Sequence, residues 1–471
     1  MRKHLSRWLL VALLFLPLLL SCGDGRVASP RITDELVVIT SPGPLTYTAN
    51  AQEGEAGAGF EHDLVKLFAE EAGLKLRLVV EENYREVPQA LRRGKGHMAA
   101  AWLVWHPGSA NSEFQATTPF FKNSHVLVQH EASLPVSNIE KMAGRTVHVV
   151  ARSRHADLLA SQPAQTPPIT VQEHPEWSDL DLLQAVAEQR IDLALTDGPI
   201  LDIAQNYYPQ LTSNLEIGDS QPIAWLFPGN ADPELVSKAE AFLGRVHKDG
   251  TLVRLRDRYF GHVRRLRQSD VVHFLEQSRS ALPNYRPLFE SAQDKSGIDW
   301  RLLAALSYQE SQWDPLATSP TGVRGIMMLT EDTADHLGVG NRLDPRQSIG
   351  AGARYLADLR NQLPETVKEP DRTWLALAAY NIGLGHLKGS LAIAGSAKAD
   401  PNSWFEMKKV LPLLARPEYY NRLKSGRARG GEAVIMVENI RIFYDILARH
   451  EPAYLPQKPA ATERKGGRKK R

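Results

Sequence analysis

The hydrophobic pattern of this chain of 471 residues changes near Gly261. Before that point short apolar runs alternate with helical patterns: ELVVIT (35–40) predicts a buried strand, and residues 59–80 predict a turn, an amphipathic helix and a second strand. Beyond it, one helical pattern follows another to about Leu455. Alternating strands and helices are typical of α/β domains with mostly parallel sheets. The sequence therefore predicts an α/β domain followed by a mainly α domain.

Five segments are predicted along the chain. Residues 1–22 are a signal peptide, 23–34 a polar linker, 35–266 the α/β domain, 267–456 the helical domain and 457–471 a basic tail. The signal is indicated by basic residues that precede an apolar run, 9–20, too short for an ordinary membrane-spanning helix. The tail is either a solvated end or a contact for an acidic surface.

Cys22 is the only cysteine, so no internal disulfide is possible. It ends the stretch LLSC, which resembles the lipobox of bacterial lipoproteins, where the cysteine carries the lipid and becomes the mature N-terminus. The resemblance implies lipidation of Cys22, and Gly23 in the next position favours the periplasmic face of the outer membrane over retention at the inner membrane. A plain secretory signal that contains a cysteine is the alternative.

Charge and motif content exclude several classes of function. A formal net charge of +2 gives no indication of nucleic-acid binding by the whole chain. The 15 histidines include no His-x-x-x-His motif with a glutamate, and a single cysteine leaves no cysteine pair. The sequence therefore predicts neither a metal site nor a cofactor.

Glu310 stands at the end of an apolar run, in SGIDWRLLAALSYQESQWDP (296–315). Asp299 is a suitable helix N-cap, and Pro315 prevents the helix from continuing. Helical spacing puts Glu310 near the face that carries Leu302 and Leu306. A carboxyl group against apolar side chains is held neutral, as a general acid requires. A solvated glutamate at a helix end, or one paired with an arginine, is the alternative.

Three motifs around Glu310 resemble the lytic transglycosylase domain related to soluble lytic transglycosylase and goose-type lysozyme. ESQWDPLATSPTGVRGIMMLT (310–330) has a Glu-Ser pair, a serine nine residues after the glutamate and a Gly-x-Met stretch. ALAAYN (376–381) has the Ala-Tyr-Asn motif, and GGEAVIMVENIRIFY (430–444) has a glutamate and an Asn-Ile pair. The resemblance implies a lysozyme-like (goose-type) fold and a domain that cleaves peptidoglycan.

The same resemblance implies roles for five residues. Glu310 would be the catalytic acid and then the base, Ser319 and Tyr380 would surround the reacting N-acetylmuramoyl ring, and Asn381 and Glu432 would be cleft residues. From the residues alone, a core role for Tyr380, a helix-end role for Asn381 and a turn role for Ser319 remain open.

Two positions depart from the family pattern. Met328 stands where many relatives have the glutamine of Gly-x-Met-Gln, and Met436 stands where the final helix often has a tyrosine. Each departure removes a polar group that could contact a sugar. Neither changes the predicted acid.

No clear second carboxylate accompanies Glu310, because Asp314 adjoins Pro315 in a predicted turn. Most glycosidases use two carboxyl groups. A muramoyl residue can supply the missing parts: its 2-acetamido oxygen stabilises the developing charge, and its C6 hydroxyl attacks C1. Cleavage of the MurNAc-GlcNAc β-1,4 bond would then give a 1,6-anhydro product without water.

Residues from about 35 to 261 resemble the family 3 extracellular solute-binding domain. The resemblance is carried by Gly59, Phe60 and Asp63, by IDLALTDGP (191–199) and by GTLVRLRDRYFG (250–261). It implies a two-lobe periplasmic-binding-protein-like fold in which Asp197 binds the amino group of a ligand.

The carboxylate-clamping arginine of that family is missing from HPGSANSEFQATTPFF (106–121). A free amino acid would then lack its bidentate partner. A muropeptide sensor that gates the helical domain is one hypothesis for the front domain, and a scaffold without a ligand is the other.

The favoured interpretation is a lipid-anchored envelope enzyme whose partners are peptidoglycan glycan strands, muropeptides at the front domain and outer-membrane lipid. The alternative is a non-catalytic peptidoglycan- or solute-binding lipoprotein. Glu310 distinguishes the two, because a protein that only binds has no need of an ionisable group on an apolar helix face.

Overall fold

The computed structural model describes residues 27–49, 57–105, 113–162, 167–260, 266, 268–320 and 322–455. The signal peptide, Cys22 and the basic tail lie outside these residues. The chain divides into two compact units, 1–263 and 264–471. The boundary at 266/267 stays a prediction.

The N-terminal unit is built on strands of two to six residues. The described strands are β1 Glu35–Thr40, β2 Lys75–Val80, β3 Met98–Ala99, β4 Phe114–Ala116, β5 Phe121–Asn123, β6 His125–His130, β7 Thr146–Val150, β8 Thr170–His174, β9 Leu193–Asp197, β10 Leu211–Glu216, β11 Gln221–Ile223 and β12 Leu226–Pro228. They form two five-stranded sheets, in the orders β2-β1-β3-β12-β4 and β10-β6-β9-β7-β8, and the pair β11-β5. The two large sheets are the cores of two α/β lobes, as the sequence predicts.

Sheet direction differs from the expectation of mostly parallel pairing. Among the described strands four pairings are parallel and five are antiparallel. The antiparallel pairings involve β4 to β6 and β10 to β12, which follow one another without a helix between them in the described segments. None of the antiparallel pairings joins two consecutive strands, so their direction follows from the long-range path of the chain and not from short connections. Alternation of apolar residues is the same in both directions, so it did not indicate this.

Helices pack on these sheets or extend from them. They are α1 Pro30–Thr33, α2 Phe60–Glu71, α3 Glu86–Arg92, α4 Arg154–Ala160, α5 Asp179–Ala187, α6 Gly198–Tyr207, α7 Pro233–Lys248 and α8 Thr251–Phe260, with a 3-10 turn at Ile139–Met142. The predicted β-α-β opening is confirmed, because β1 and β2 flank α2 and pair in parallel from Glu35↔Lys75 to Thr40↔Val80.

The C-terminal unit is mainly helical in its described part. Its helices are α9 Gln268–Ser280, α10 Leu282–Ser296, α11 Trp300–Ser311, α12 Glu331–His336, α13 Pro345–Asn361, α14 Asp371–Ile382, α15 Leu384–Ser396, α16 Trp404–Val410, α17 Pro417–Tyr420 and α18 Gly430–His450, with a 3-10 turn at Leu411–Ala415. This agrees with the mainly α domain that the sequence predicts.

Helix α11 lies at the centre of this unit and contacts α10, α13 and α18. Its apolar residues from Leu302 to Leu306 are buried. Next to them an aromatic cluster joins three parts of the chain, with ring centroids 4.5 to 5.6 Å apart: Phe274, Tyr308, Trp313 and Phe443. A helix packed on three sides has little freedom to shift, so it is a rigid support for its last residues.

None of the described helices combines the length and the apolar character that a membrane span requires.

Candidate active site

Helix α11 sets the position of Glu310. The helix begins where Asp299 accepts a hydrogen bond from the Arg301 N–H at 2.9 Å, a cap of a kind that contributes about 1 kcal/mol. It ends one residue after Glu310, where Gln312 and Trp313 both take left-handed backbone angles. The Trp313 indole N–H then donates to the Ala304 carbonyl oxygen at 2.9 Å. The predicted cap is confirmed, and the turn that follows returns the chain onto its own helix.

The Glu310 side chain is half-buried, and burial raises the pKa of its carboxyl group to about 8. Burial is the only cause, and no hydrogen bond or ion pair from a described side chain reaches this carboxyl. The arginine partner that the sequence left open is therefore not found among the described residues. With this pKa the group carries its proton at neutral pH, as a general acid must.

Tyr380, near the end of α14, lies within electrostatic reach of Glu310. Its hydroxyl donates to the Met327 carbonyl oxygen at 2.8 Å, and its ring centroid is 5.3 Å from that of Tyr355. Burial raises the Tyr380 pKa well above its usual range, and the charges of Glu310 and Tyr355 raise it further. The structure thus brings Glu310 and Tyr380 within electrostatic reach of each other, and the tyrosine stays neutral.

The loop between α11 and α12, residues 312–330, is attached to the helix that carries Glu310. Ser307 and Ser311 are one turn apart on α11, and their hydroxyls donate to the Ile326 carbonyl oxygen at 3.0 and 2.8 Å. The sequence motif included Ser311 only as the second member of the Glu-Ser pair, without a role, and Ser307 was missed. Their spacing of four residues beside Glu310 is the signal that could have indicated them.

The same loop is attached to α13 and the segment before it. Arg342 donates to the Gly322 and Leu329 carbonyl oxygens at 2.9 and 3.1 Å. Gly325 has a φ of 83°, and a Cβ there would lie 1.8 Å from the Arg342 carbonyl oxygen. The close approach therefore requires glycine.

Ser319 lies in this loop and is half-buried. Its hydroxyl accepts a hydrogen bond from the Val323 N–H at 3.2 Å, and its own N–H donates to the Val323 carbonyl oxygen at 2.9 Å. The turn role that the sequence left open is thus present. A contact with substrate stays a prediction.

Asn381 and Glu432 are both exposed. Asn381 is the residue after Tyr380 on α14, and no hydrogen bond to its side chain is found among the described residues. Glu432 is in the first turn of α18, where its carboxylate lies 3.5 Å from Arg429. Among the described residues, no hydrogen bond joins either of them to Glu310, and their cleft roles stay predictions.

The two positions that depart from the family pattern differ in surroundings. Met436 is buried on α18. Met328 is half-buried and has a φ of 47°, a left-handed angle that is uncommon for a residue with a side chain.

Glu438, which the sequence did not single out, is the buried carboxylate of α18. It accepts hydrogen bonds from the Trp404 indole at 2.6 Å and from Arg441 at 2.8 Å, and it lies 3.4 Å from Lys408. Despite burial, Arg441 and Lys408 lower its pKa to about 2. Its satisfied charge makes it a structural tie between α16 and α18.

Asp314 is exposed and accepts a hydrogen bond from the Leu316 N–H at 2.8 Å. That is an Asx-type turn. The turn role favoured from the sequence is observed, and burial alone accounts for the pKa of Glu310.

The N-terminal unit has a cleft of about 140 Å³ between its lobes, and Asp197 lies in its wall with Arg154, Asp179 and Trp102. Asp197 is buried and already has partners on both oxygens. Asn123 donates to its Oδ1 at 2.7 Å, and Arg154 Nη2 lies 3.3 Å from its Oδ2. A ligand amino group would have to displace one of these groups to reach Asp197.

Comparisons with known proteins follow the same division. The family model described as bacterial extracellular solute-binding proteins, family 3, matches residues 36–262, and the model described as Transglycosylase SLT domain matches residues 287–402. A solved structure of an amino acid ABC transporter substrate-binding protein from Streptococcus pneumoniae covers 49% of this chain and 96% of its own, with 17% identity and a TM-score of 0.43.

Two curated relatives match nearly the whole chain. The protein named membrane-bound lytic murein transglycosylase F of Methylobacillus flagellatus is 43% identical over 457 residues, which cover 96% of each chain. The protein of the same name from Nitrosospira multiformis is 41% identical over 464 residues, which cover 96% of this chain and 94% of the relative.

Proposed function

The chain belongs to the membrane-bound lytic murein transglycosylase F family, and from this membership we propose that its C-terminal unit is a lytic transglycosylase that degrades peptidoglycan, with Glu310 as its acid and base. The observation that carries the proposal is the half-buried Glu310 carboxyl, whose pKa is raised to about 8 beside Tyr380. A group with that pKa can both donate and accept a proton near neutral pH.

We propose a reaction in two proton transfers. Glu310 donates its proton to the glycosidic oxygen as the bond to C1 of the muramoyl residue breaks, and the 2-acetamido oxygen of that residue stabilises the positive charge. The ionised Glu310 then accepts the proton of the C6 hydroxyl, while the oxygen of that hydroxyl bonds to C1 of the same muramoyl residue. The products are a chain with a free 4-hydroxyl and a 1,6-anhydromuramoyl end, and the carboxyl group is regenerated.

Two other carboxylates of the C-terminal unit are engaged by protein groups, which supports a single-carboxylate reaction at Glu310. Asp314 turns outward and is engaged by the Leu316 N–H. The Glu438 carboxylate is held by Arg441, Lys408 and Trp404. The hydroxyl of Tyr380 is held by the Met327 carbonyl oxygen, which fixes the ring next to Glu310.

The direct test replaces Glu310 by glutamine or alanine. We expect either variant to release anhydromuropeptides from purified sacculi about 10² to 10⁴ times more slowly, since one general acid-base group contributes that range. Glu365→Gln, which changes an exposed glutamate of the same unit, is the control and should keep the rate. Thermal unfolding of each variant separates loss of catalysis from loss of fold.

Product mass decides the reaction type. A 1,6-anhydro end supports intramolecular attack, whereas a reducing muramic acid would show that water attacked. Wild-type rates in both Glu310 variants would contradict the assignment of Glu310 as the acid. No release of anhydromuropeptides by the unaltered chain would instead favour the alternative function, a non-catalytic envelope protein that binds peptidoglycan or a solute.

For the N-terminal unit, we further propose that it binds muropeptides and thereby controls the C-terminal unit. The support for this proposal is that Asp197 already has protein partners on both oxygens, which disfavours a free amino acid as the ligand. The export signal and lipidation of Cys22, with attachment at the periplasmic face of the outer membrane, are further proposals. The words "membrane-bound" in the names of the relatives support an attachment to a membrane.

A further inference from the structure

Two histidines and an aspartate from three separate segments meet in the second lobe of the N-terminal unit. His125 begins β6 and pairs in register with Asp197, which ends β9, while His155 lies in the first turn of α4. His125 Nδ1 and His155 Nε2 each lie 3.1 Å from Asp197 Oδ1, and all three ligand atoms lie within 4.8 Å of one another. The three side chains are at most 3% exposed.

The hydrogen bonds of His125 decide where its proton is. Its Nε2 lies 2.9 Å from Gln221 Oε1, and in this orientation of the Gln221 amide the oxygen only accepts, so the proton of a neutral ring is on Nε2. Nδ1 then presents a lone pair to the lone pairs of Asp197 Oδ1. These two acceptor atoms, 3.1 Å apart, repel each other unless a proton or a metal ion lies between them.

Other polar atoms around this carboxylate are also without partners. Among the described residues, His125 Nδ1, His155 Nδ1 and Asn123 Oδ1 are buried and make no hydrogen bond. The Asn123 amide nitrogen donates to Asp197 Oδ1, and a flip of the amide would put its oxygen in that position instead. Buried polar groups in native proteins are nearly always satisfied, so this group of atoms points to a missing ligand.

We propose that His125 Nδ1, His155 Nε2 and Asp197 Oδ1 bind a divalent transition metal ion of the zinc type. Two neutral imidazole nitrogens and a carboxylate oxygen suit Zn²⁺, and the hydrogen bond to Gln221 orients His125 as a metal-bound histidine requires. The Asn123 amide is the nearest further donor. His155 and Asp197 both line the cleft, which gives the ion a route to the site.

Neighbouring charges are compatible with a bound cation. Arg154 is bound on the other side of the carboxylate, at Oδ2, and its second nitrogen donates to the Trp102 carbonyl oxygen at 2.6 Å. Asp179, whose Oδ1 accepts from the Thr196 hydroxyl, lies close enough to Asp197 and His155 to interact with both electrostatically. Two carboxylates thus offset the charge of Arg154 and part of the charge of the ion.

The test uses the tag-free full chain, stripped with a chelator and then titrated with Zn²⁺ or Co²⁺. We expect one equivalent of Zn²⁺ by elemental analysis, a higher thermal midpoint with Zn²⁺, and visible d–d absorption bands from bound Co²⁺. His125→Ala and His155→Ala should each weaken binding by at least about tenfold, the lower end of the loss that even outer-shell changes cause.

His148→Ala is the matched control, because His148 and His174 form another histidine pair on the same sheet, with 2.8 Å between their nitrogens. Stoichiometry and affinity should not change in that variant. Failure of the unaltered chain to take up Zn²⁺ or to give Co²⁺ bands would overturn the proposal. The Co²⁺ spectrum needs no variant, so it decides the question even if a histidine variant does not fold.

Discussion

Three glutamates of the C-terminal unit lie on helices but differ in burial and in charged partners. Glu310 is half-buried and has no charged partner among the described residues, and its pKa rises to about 8. Glu438 is buried with Arg441 and Lys408, and its pKa falls to about 2. Glu432 is exposed. Only the first environment stores a proton at neutral pH, which is why Glu310 is the group proposed to move one.

A pH series on Glu310→Gln tests this environment through stability. Burial raises the pKa of Glu310 from 4.5 to about 8, so folding favours its neutral form. The stability that this form contributes is complete below about pH 4.5 and is lost as pH rises through about 8. Glutamine cannot ionise, so above pH 8 we expect the variant to be more stable than the wild type by about 1 to 3 kcal/mol.

Denaturant titrations of both proteins between pH 4 and 9 provide the measurement. This expected stability difference is smaller than the free energy equivalent to the whole pKa shift of Glu310, because water still reaches part of the side chain. The activity of the wild type should fall as pH rises through about 8, because Glu310 then loses the proton that it donates. Two stability curves that stay parallel across the series would contradict the assigned burial.

At the scale of elements, the loop 312–330 connects the α11 end that carries Glu310 with the α14 end that carries Tyr380. Ser307 and Ser311 attach it on one side, and Tyr380 binds the Met327 carbonyl oxygen on the other. Gly325 allows the loop to approach the Arg342 backbone. The distance between the candidate acid and the tyrosine therefore depends on the shape of this loop.

Replacing Gly325 by alanine should distort that loop. Gly325 and Gly322 have the same φ of 83°, so alanine meets the same left-handed strain at both positions, whereas only at Gly325 would its Cβ meet a backbone atom, 1.8 Å away. We expect Gly325→Ala to lower the free energy of unfolding by about 2 to 4 kcal/mol, and Gly322→Ala by about 1 kcal/mol. Thermal and urea unfolding of the pair measure the difference, and equal losses would show that strain alone matters.

At the scale of the whole molecule, the chain combines a binding fold with an enzyme fold, and each compact unit has its own core. If the N-terminal unit senses muropeptides, a muropeptide should give binding heat with the full chain carrying Glu310→Gln, which does not consume it. The same muropeptide should change the rate at which the wild-type chain digests sacculi.

Tyr84→Ala identifies the unit that binds. Tyr84 lines the cleft of the N-terminal unit, so its loss should reduce the heat and the rate change together. If the heat persists in this variant, the ligand is bound in the C-terminal unit. No heat and no rate change would remove the sensor from the proposed function.

Local sequence patterns predicted much of the fold and part of the candidate site. Hydrophobic periodicity predicted the β-α-β opening and the later helices, because burial of one face leaves its period in the sequence. The Asp299 cap, the end of α11 and the apolar face near Glu310 were likewise readable, since each depends on residues a few positions apart. The motif order indicated the enzyme family to which the chain belongs.

Only the tertiary structure decided strand direction and the state of each polar group. Strand direction depends on which distant strands the folded chain brings together, as for β6 and β10, and a pKa depends on the neighbours that the fold supplies, as for Glu438 beside Arg441 and Lys408. His125, His155 and Asp197 show this most clearly: 42 residues separate the last two, yet their side chains lie 3.1 Å apart. Spacing along a chain records local periodicity, whereas side chains meet through the folded backbone, so no local motif could have indicated that cluster.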